Sequence, residues 1–149
     1  MARNDAKAAV DSFCGSYDGV FGRFEADPDN DGGFAVAVHG LKSRFVSASM
    51  VMVSTEDPDG TYAEKLEFVK EKSKPTPMGK SEEIQMRFGF DEEYGTLNNF
   101  SKMGTKGGIM YFAARKGDAV VCMQMFSMKA HVSDDDLGIL MDAVLGSLD

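Results

Sequence analysis

The chain predicts an α+β domain: an antiparallel β-sheet of about six strands packed by N-terminal, middle and C-terminal helices. Two strand-like runs, Gly108 to Arg115 and Asp118 to Met128, flank a tight Lys116-Gly117 turn. Apolar residues then recur at helical spacing from Leu137 to Leu148, the pattern of an amphipathic closing helix. Finally, 149 residues that are 43% hydrophobic and 27% charged suit one globular domain, residues 1–149, and no linker or repeat divides them.

Taken in order, Asp5 to Ser16 reads as a short helix with Ala6, Ala9, Val10 and Phe13 on one face, ending near Gly15. The period then shifts toward two over Val20 to Ala26 and again over Gly33 to His39. Between these runs, Asp27-Pro28-Asp29-Asn30-Asp31-Gly32 is a turn-forming stretch. Ser43 to Thr55 is a further strand, and Glu56-Asp57-Pro58-Asp59-Gly60 signals a turn. Thr61 to Lys72 fits two patterns. Tyr62, Leu66 and Phe68 would line a strand face, whereas Tyr62, Leu66 and Val69 would line a helix, and the preceding turn favours the strand. Pro75 and Pro77 break regular structure.

From Lys80 to Met103 the expectation is helix, interrupted near Gly89 or Gly95, with Ile84, Phe88, Leu97 and Phe100 buried. Gly104 to Gly108 releases the chain into the final hairpin. The closing helix begins at Ser133, a favourable N-cap, with Asp136 three residues on and Asp134 and Asp135 near the positive helix end. Gly138 and Gly146 fall off its apolar face and weaken it by about 1 kcal/mol each relative to alanine. Packing, rather than propensity, must hold this helix.

Net charge is −8 and the pI is near 4.7. Such a surface repels phosphate backbones, which argues against a nucleic-acid partner and suits basic or apolar clients. The N-terminal residues show no apolar signal run, and no stretch approaches the roughly 20 apolar residues that span a bilayer. Cys14 and Cys122 lack CxxC spacing and read as buried thiols, so the expected location is the cytoplasm.

Candidate sites are few. Asp27, Asp29, Asp31 and Gly32 open like a calcium loop, but Val38 stands where the twelfth-position acid is required, so an acidic turn is the stronger reading. The two histidines, His39 and His131, have no ligand set around them, and His131 is expected to be exposed. No nucleophile elbow, phosphate loop or dinucleotide fingerprint occurs, and Glu82-Glu83 and Asp91-Glu92-Glu93 read as solvated faces. No catalytic set and no cofactor are expected. Asn99-Phe100-Ser101 is formally a glycosylation sequon. Methionine is abundant, with eleven residues. Met50 and Met52 share one strand face, as do Met123 and Met125, and such a stripe either fills a core or adapts to apolar partners.

The segment Leu97-Asn98-Asn99-Phe100-Ser101-Lys102 looks like the asparagine-rich stretch that precedes the last hairpin in YbjN-like proteins. With the hairpin Ile109 to Met128, the acid-capped helix from Ser133 and Gly33-Phe34-Ala35-Val36, it gives about half the chain a resemblance to the type III secretion chaperone-like fold and the YbjN family. Lys70 to Gly95 is longer than in the compact secretion chaperones. The resemblance implies a non-enzymatic domain, often a homodimer, that holds a protein client on an apolar sheet–helix surface. That surface would draw on Met50, Met52, Met123, Met125, Leu140 and Val144. The closing hairpin and helix also look like the end of PsbP-like domains, which implies an accessory or ligand-binding subunit, although this chain lacks tryptophan.

Overall fold

The computed structural model describes residues 33–41, 44–54, 56–128 and 130–148. In chain order these form β1 (Gly33–Leu41), β2 (Arg44–Ser54), α1 (Pro58–Lys72), β3 (Glu82–Glu83), β4 (Glu92–Lys102), β5 (Thr105–Lys116), β6 (Ala119–Met128) and α2 (Asp134–Leu148). The strands pair antiparallel in the order β1-β2-β6-β5-β4-β3. The architecture is therefore α+β. The helix expected over 5–16, the strand over 20–26 and the loop of Asp27, Asp29 and Asp31 lie outside the described residues.

Of the six segments expected as strands, four, those over 33–39, 43–55, 108–115 and 118–128, coincide over their described residues with β1, β2, β5 and β6. The strand expected over 61–72 is instead the body of α1. Asp57-Pro58 initiates this helix rather than a turn. The Asp57 side chain accepts from the Gly60 N–H at 3.1 Å, and Pro58 occupies the first helical turn, where its missing N–H costs nothing. The same residue types favour turns and helix starts, because both require a local acceptor and φ near −65°. Tyr62 and Val69 are buried, Leu66 is partly buried and Phe68 is exposed, as the helical spacing requires. Burying a side chain such as Val69 stabilises by about 1.5–3 kcal/mol. Ser73 ends the helix by donating from its N–H to Val69 O at 3.0 Å and from its Oγ to the same oxygen at 2.6 Å.

The middle helix expected over 80–103 is likewise corrected, since this region forms β3 and β4. Gly95 and Thr96 are adjacent and both buried, so both faces of β4 are covered there. A strand covered on both faces loses the simple apolar–polar alternation. Its polar residues are satisfied singly: the Thr96 hydroxyl meets that of Ser73, and Asn98 Nδ2 donates to Met78 O at 3.4 Å. Specific pairing overrides the poor strand propensity of asparagine.

The closing hairpin forms as expected, with β5 and β6 joined through Gly117 at φ 61°, the positive value a two-residue hairpin loop takes there. On one sheet face α1 packs Tyr62 and Val69 against Ala113, Val120 and Cys122. Burial pushes the Cys122 thiol pKa up, with the Lys65 ammonium pulling the other way. The expected buried thiol is found at Cys122; Cys14 lies outside the described residues.

The opposite face carries Met110, Phe112, Met123 and Met125, which alternate with the α1-facing residues and are all buried. Here the expected partner surface is corrected. Met123 is 3% exposed, Met125 2%, Leu140 3% and Val144 0%. These four side chains are therefore interior, where apolar surface is removed from water, rather than displayed to a partner. Met50 stands opposite Met123, and Met52 opposite Val121, in the β2–β6 register.

Candidate functional site

With the methionine face enclosed, a cleft of about 390 Å³ lies between the β3–β4 edge and the first turn of α2. Leu97 lies at its base, Lys80, Glu82 and Ile84 stand on one side, and Asp134 and Leu137 of α2 stand on the other. Met86 also lines it and remains partly exposed, so the cleft combines apolar surface with a charged rim.

Three local devices set this geometry. The first is the short β3 ladder, which places Glu82 opposite Leu97 and Glu83 opposite Thr96, and continues as the Ile84 N–H donates to Gly95 O at 2.8 Å. Because Ile84 directs its N–H at β4, strand alternation turns the N–H and C=O of Glu83 away from β4. The Glu83 carbonyl accepts only a long 3.4 Å bond from the Gln85 side chain. No strand lies beyond β3 among the described residues.

The second device is Asn99. Its Nδ2 donates to Val132 O at 3.0 Å, while its Oδ1 accepts from the Val132 N–H at 2.9 Å. This amide imitates one rung of a β-ladder and fastens the chain just before α2 onto β4. Gly108 leaves room for it: a Cβ there would stand 2.6 Å from Asn99 Oδ1 and 2.8 Å from a Val132 methyl. His131 adds a contact from its Nε2 to Phe100 O at 3.0 Å and to Ser101 Oγ at 3.2 Å. It is exposed, as expected. Ser133 then takes the N-cap position, its carbonyl accepting from the Leu137 N–H at 3.1 Å. The Asn99 amide of the formal sequon is thus already engaged within the fold.

The third device is Glu93, whose carboxylate accepts from the backbone N–H groups of Phe88 (2.8 Å), Gly89 (3.3 Å) and Phe90 (3.0 Å). These bonds close the turn that returns the cleft wall to β4 and deliver Phe88 and Phe90 onto Phe112, at ring centroid distances of 5.8 and 5.6 Å. Glu93 therefore has a structural role that its reading as part of a solvated run did not contain. Replacing Glu93 with alanine is expected to cost about 1.5–3 kcal/mol in chemical denaturation and to speed amide exchange at 88–90. Unchanged exchange there would remove its role as the turn's anchor.

Asp91 accepts from the Gly117 N–H at 2.7 Å and so holds the hairpin turn, while its neighbours form an exposed charge network. Arg115 gathers Glu92 at 2.9 Å, Asp91 at 3.5 Å and Asp59 at 3.7 Å, and its bond to Glu92 is the main influence raising its pKa. Tyr62, beside this network, has its phenol pKa raised by burial first and then by Glu92 and Glu93. Among the described residues, no group of three or more His, Cys, Asp or Glu side chains is placed to hold a metal ion. Nor is any helix there long and apolar enough to cross a membrane.

Sequence reasoning flagged Glu82 and Glu83 as exposed carboxylates, and exposed they are. It did not join them to Leu97 and Leu137, since the intervening chain was expected to be helical. The usable signal was the Asn98-Asn99 pair, polar residues amid a strand that the fold satisfies one by one.

No protein-family model matches the chain, and no curated protein does. Among solved structures it is similar to LpqN, a protein involved in cell envelope biogenesis of Mycobacterium tuberculosis. That likeness has 20% sequence identity and a TM-score of 0.32, and it covers 85% of this chain but 66% of LpqN, just under two thirds of that protein's length.

Proposed function

We propose that this chain is a non-enzymatic protein-binding domain, and that the cleft beside β3 takes an extended segment of a client or partner. The observation that carries the reading is the strand edge at Glu83, whose outward backbone groups border a cleft with Leu97 at its base. An extended peptide gains affinity from main-chain hydrogen bonds at such an edge and specificity from alternate side chains entering the cleft. Secretion-chaperone-like and YbjN-like proteins are read the same way, as holders of extended clients. The holding surface is moved here from Met123, Met125, Leu140 and Val144 to the cleft, because those four are interior.

The reading is tested by selecting binders to the purified protein from a random peptide library and mapping the best of them through backbone amide shifts. Shifts concentrated at 80–86, 97–99 and 134–137 support it. Failure to select any binder, or shifts confined to other surfaces, would sink it.

A further inference from the structure

We infer that the segment received by the cleft carries a basic pair: an apolar residue followed by two cationic ones, added antiparallel to β3. This deepens, and rests on, the protein-binding reading of the same cleft. The argument begins with charge. Glu82 and Asp134 set two carboxylates against the ammonium of Lys80 at the cleft, and Glu83 adds a third on the other face of the same edge, on a chain of net charge −8. An acidic segment would meet like charges at every approach, whereas a basic one is steered inward and paired on arrival.

Register then orders the side chains. Glu82 and Ile84 are two residues apart and share the sheet face of Leu97 and Gly95, while Glu83 shares the opposite face with Thr96. A strand laid antiparallel along β3 meets Ile84, Glu83 and Glu82 in that order along its own direction. The residue across from Ile84 is apolar and packs over the cleft beside Leu97 and Leu137. The next residue exchanges backbone hydrogen bonds with Glu83, whose N–H and C=O point outward, and its cationic side chain lies beside the Glu83 carboxylate. The third returns to the cleft face, where Glu82 and Asp134 both stand on the rim. The two acids at this edge thus serve recognition as well as guarding an open strand against indiscriminate pairing.

The test uses the full chain and fluorescein-labelled octapeptides read by anisotropy. The probe is Thr-Val-Leu-Lys-Arg-Thr-Val-Ser; its comparison replaces Lys-Arg with Glu-Glu. Expected is binding of the basic peptide about tenfold or more tighter than the acidic one, the size of two partly exposed charge pairs. A basic peptide methylated on the backbone nitrogen of its lysine, which faces Glu83, should lose about as much, since it cannot pair with the edge. The double variant Glu82→Lys with Glu83→Lys should abolish the preference. Glu64→Lys with Glu67→Lys, an equal charge change on exposed positions of α1, should retain it. Circular dichroism confirms that both variants fold. Equal binding of the basic and acidic peptides, full binding of the methylated peptide, or equal loss in both double variants would overturn the inference. Library binders that map to the cleft yet lack basic residues would overturn it too, while leaving the protein-binding reading in place.

Discussion

Replacing Phe112 with alanine is expected to lower the unfolding free energy by about 3–5 kcal/mol, the range for a large aromatic removed from a closed core. Phe112 is 1% exposed. Phe88 and Phe90 reach it from the chain that runs past the cleft. The cavity therefore opens where two layers meet, beside Met123, its cross-strand neighbour, whose flexible side chain sets how far the site can collapse. Chemical denaturation measures the loss. A second readout separates this site from an ordinary core position, because amide exchange at 84–90 should accelerate more than at 137–145. A cost below about 1 kcal/mol, well under that range, would mean that the aromatic cluster does not hold the wall.

Asn99→Ala is expected to cost about 2–4 kcal/mol, because it leaves both the N–H and the C=O of Val132 without their partner while Val132 stays buried. For a chain of this length that corresponds to a fall in melting temperature of roughly 5–15 °C. Asn99→Asp separates the two halves of the clamp. It retains an acceptor for the Val132 N–H but loses the donor and sets a negative charge against a carbonyl oxygen. It should therefore be no more stable than the alanine variant at neutral pH. Full stability of Asn99→Asp would show that only the acceptor bond matters. Since this clamp fixes the start of α2 and Asn99 itself lines the cleft, either substitution should also weaken peptide binding there.

These two residues mark how far the sequence can be read. The closing hairpin and α2 were legible because both signals are local. Gly117 supplies the turn, and Leu137, Leu140, Met141 and Val144 repeat at helical spacing whatever surrounds them. Helix α1 was half legible. Tyr62, Leu66 and Val69 carried the right period, but Asp57-Pro58 suits a turn as well as a helix start, and only the packing of Val69 on the sheet separates the two. Strand β4 was not legible. Thr96, Asn98 and Asn99 each find a distant partner in Ser73, Met78 and Val132, so their strand conformation rests on contacts made across the fold.

The candidate site belongs to the same class. Glu82, Leu97 and Leu137 are far apart in sequence and meet through one strand register and one side-chain clamp. By itself, the sequence determined the α+β class, the acidic surface, the hairpin and the closing helix, because turn chemistry, charge and apolar period act over a few residues. Only the tertiary structure decided that the face of Met110, Phe112, Met123 and Met125 is interior and that β3, the last strand of the sheet among the described residues, borders a cleft. Both depend on which surfaces the sheet register and α2 cover, and burial is a property of the assembled layers rather than of any one segment.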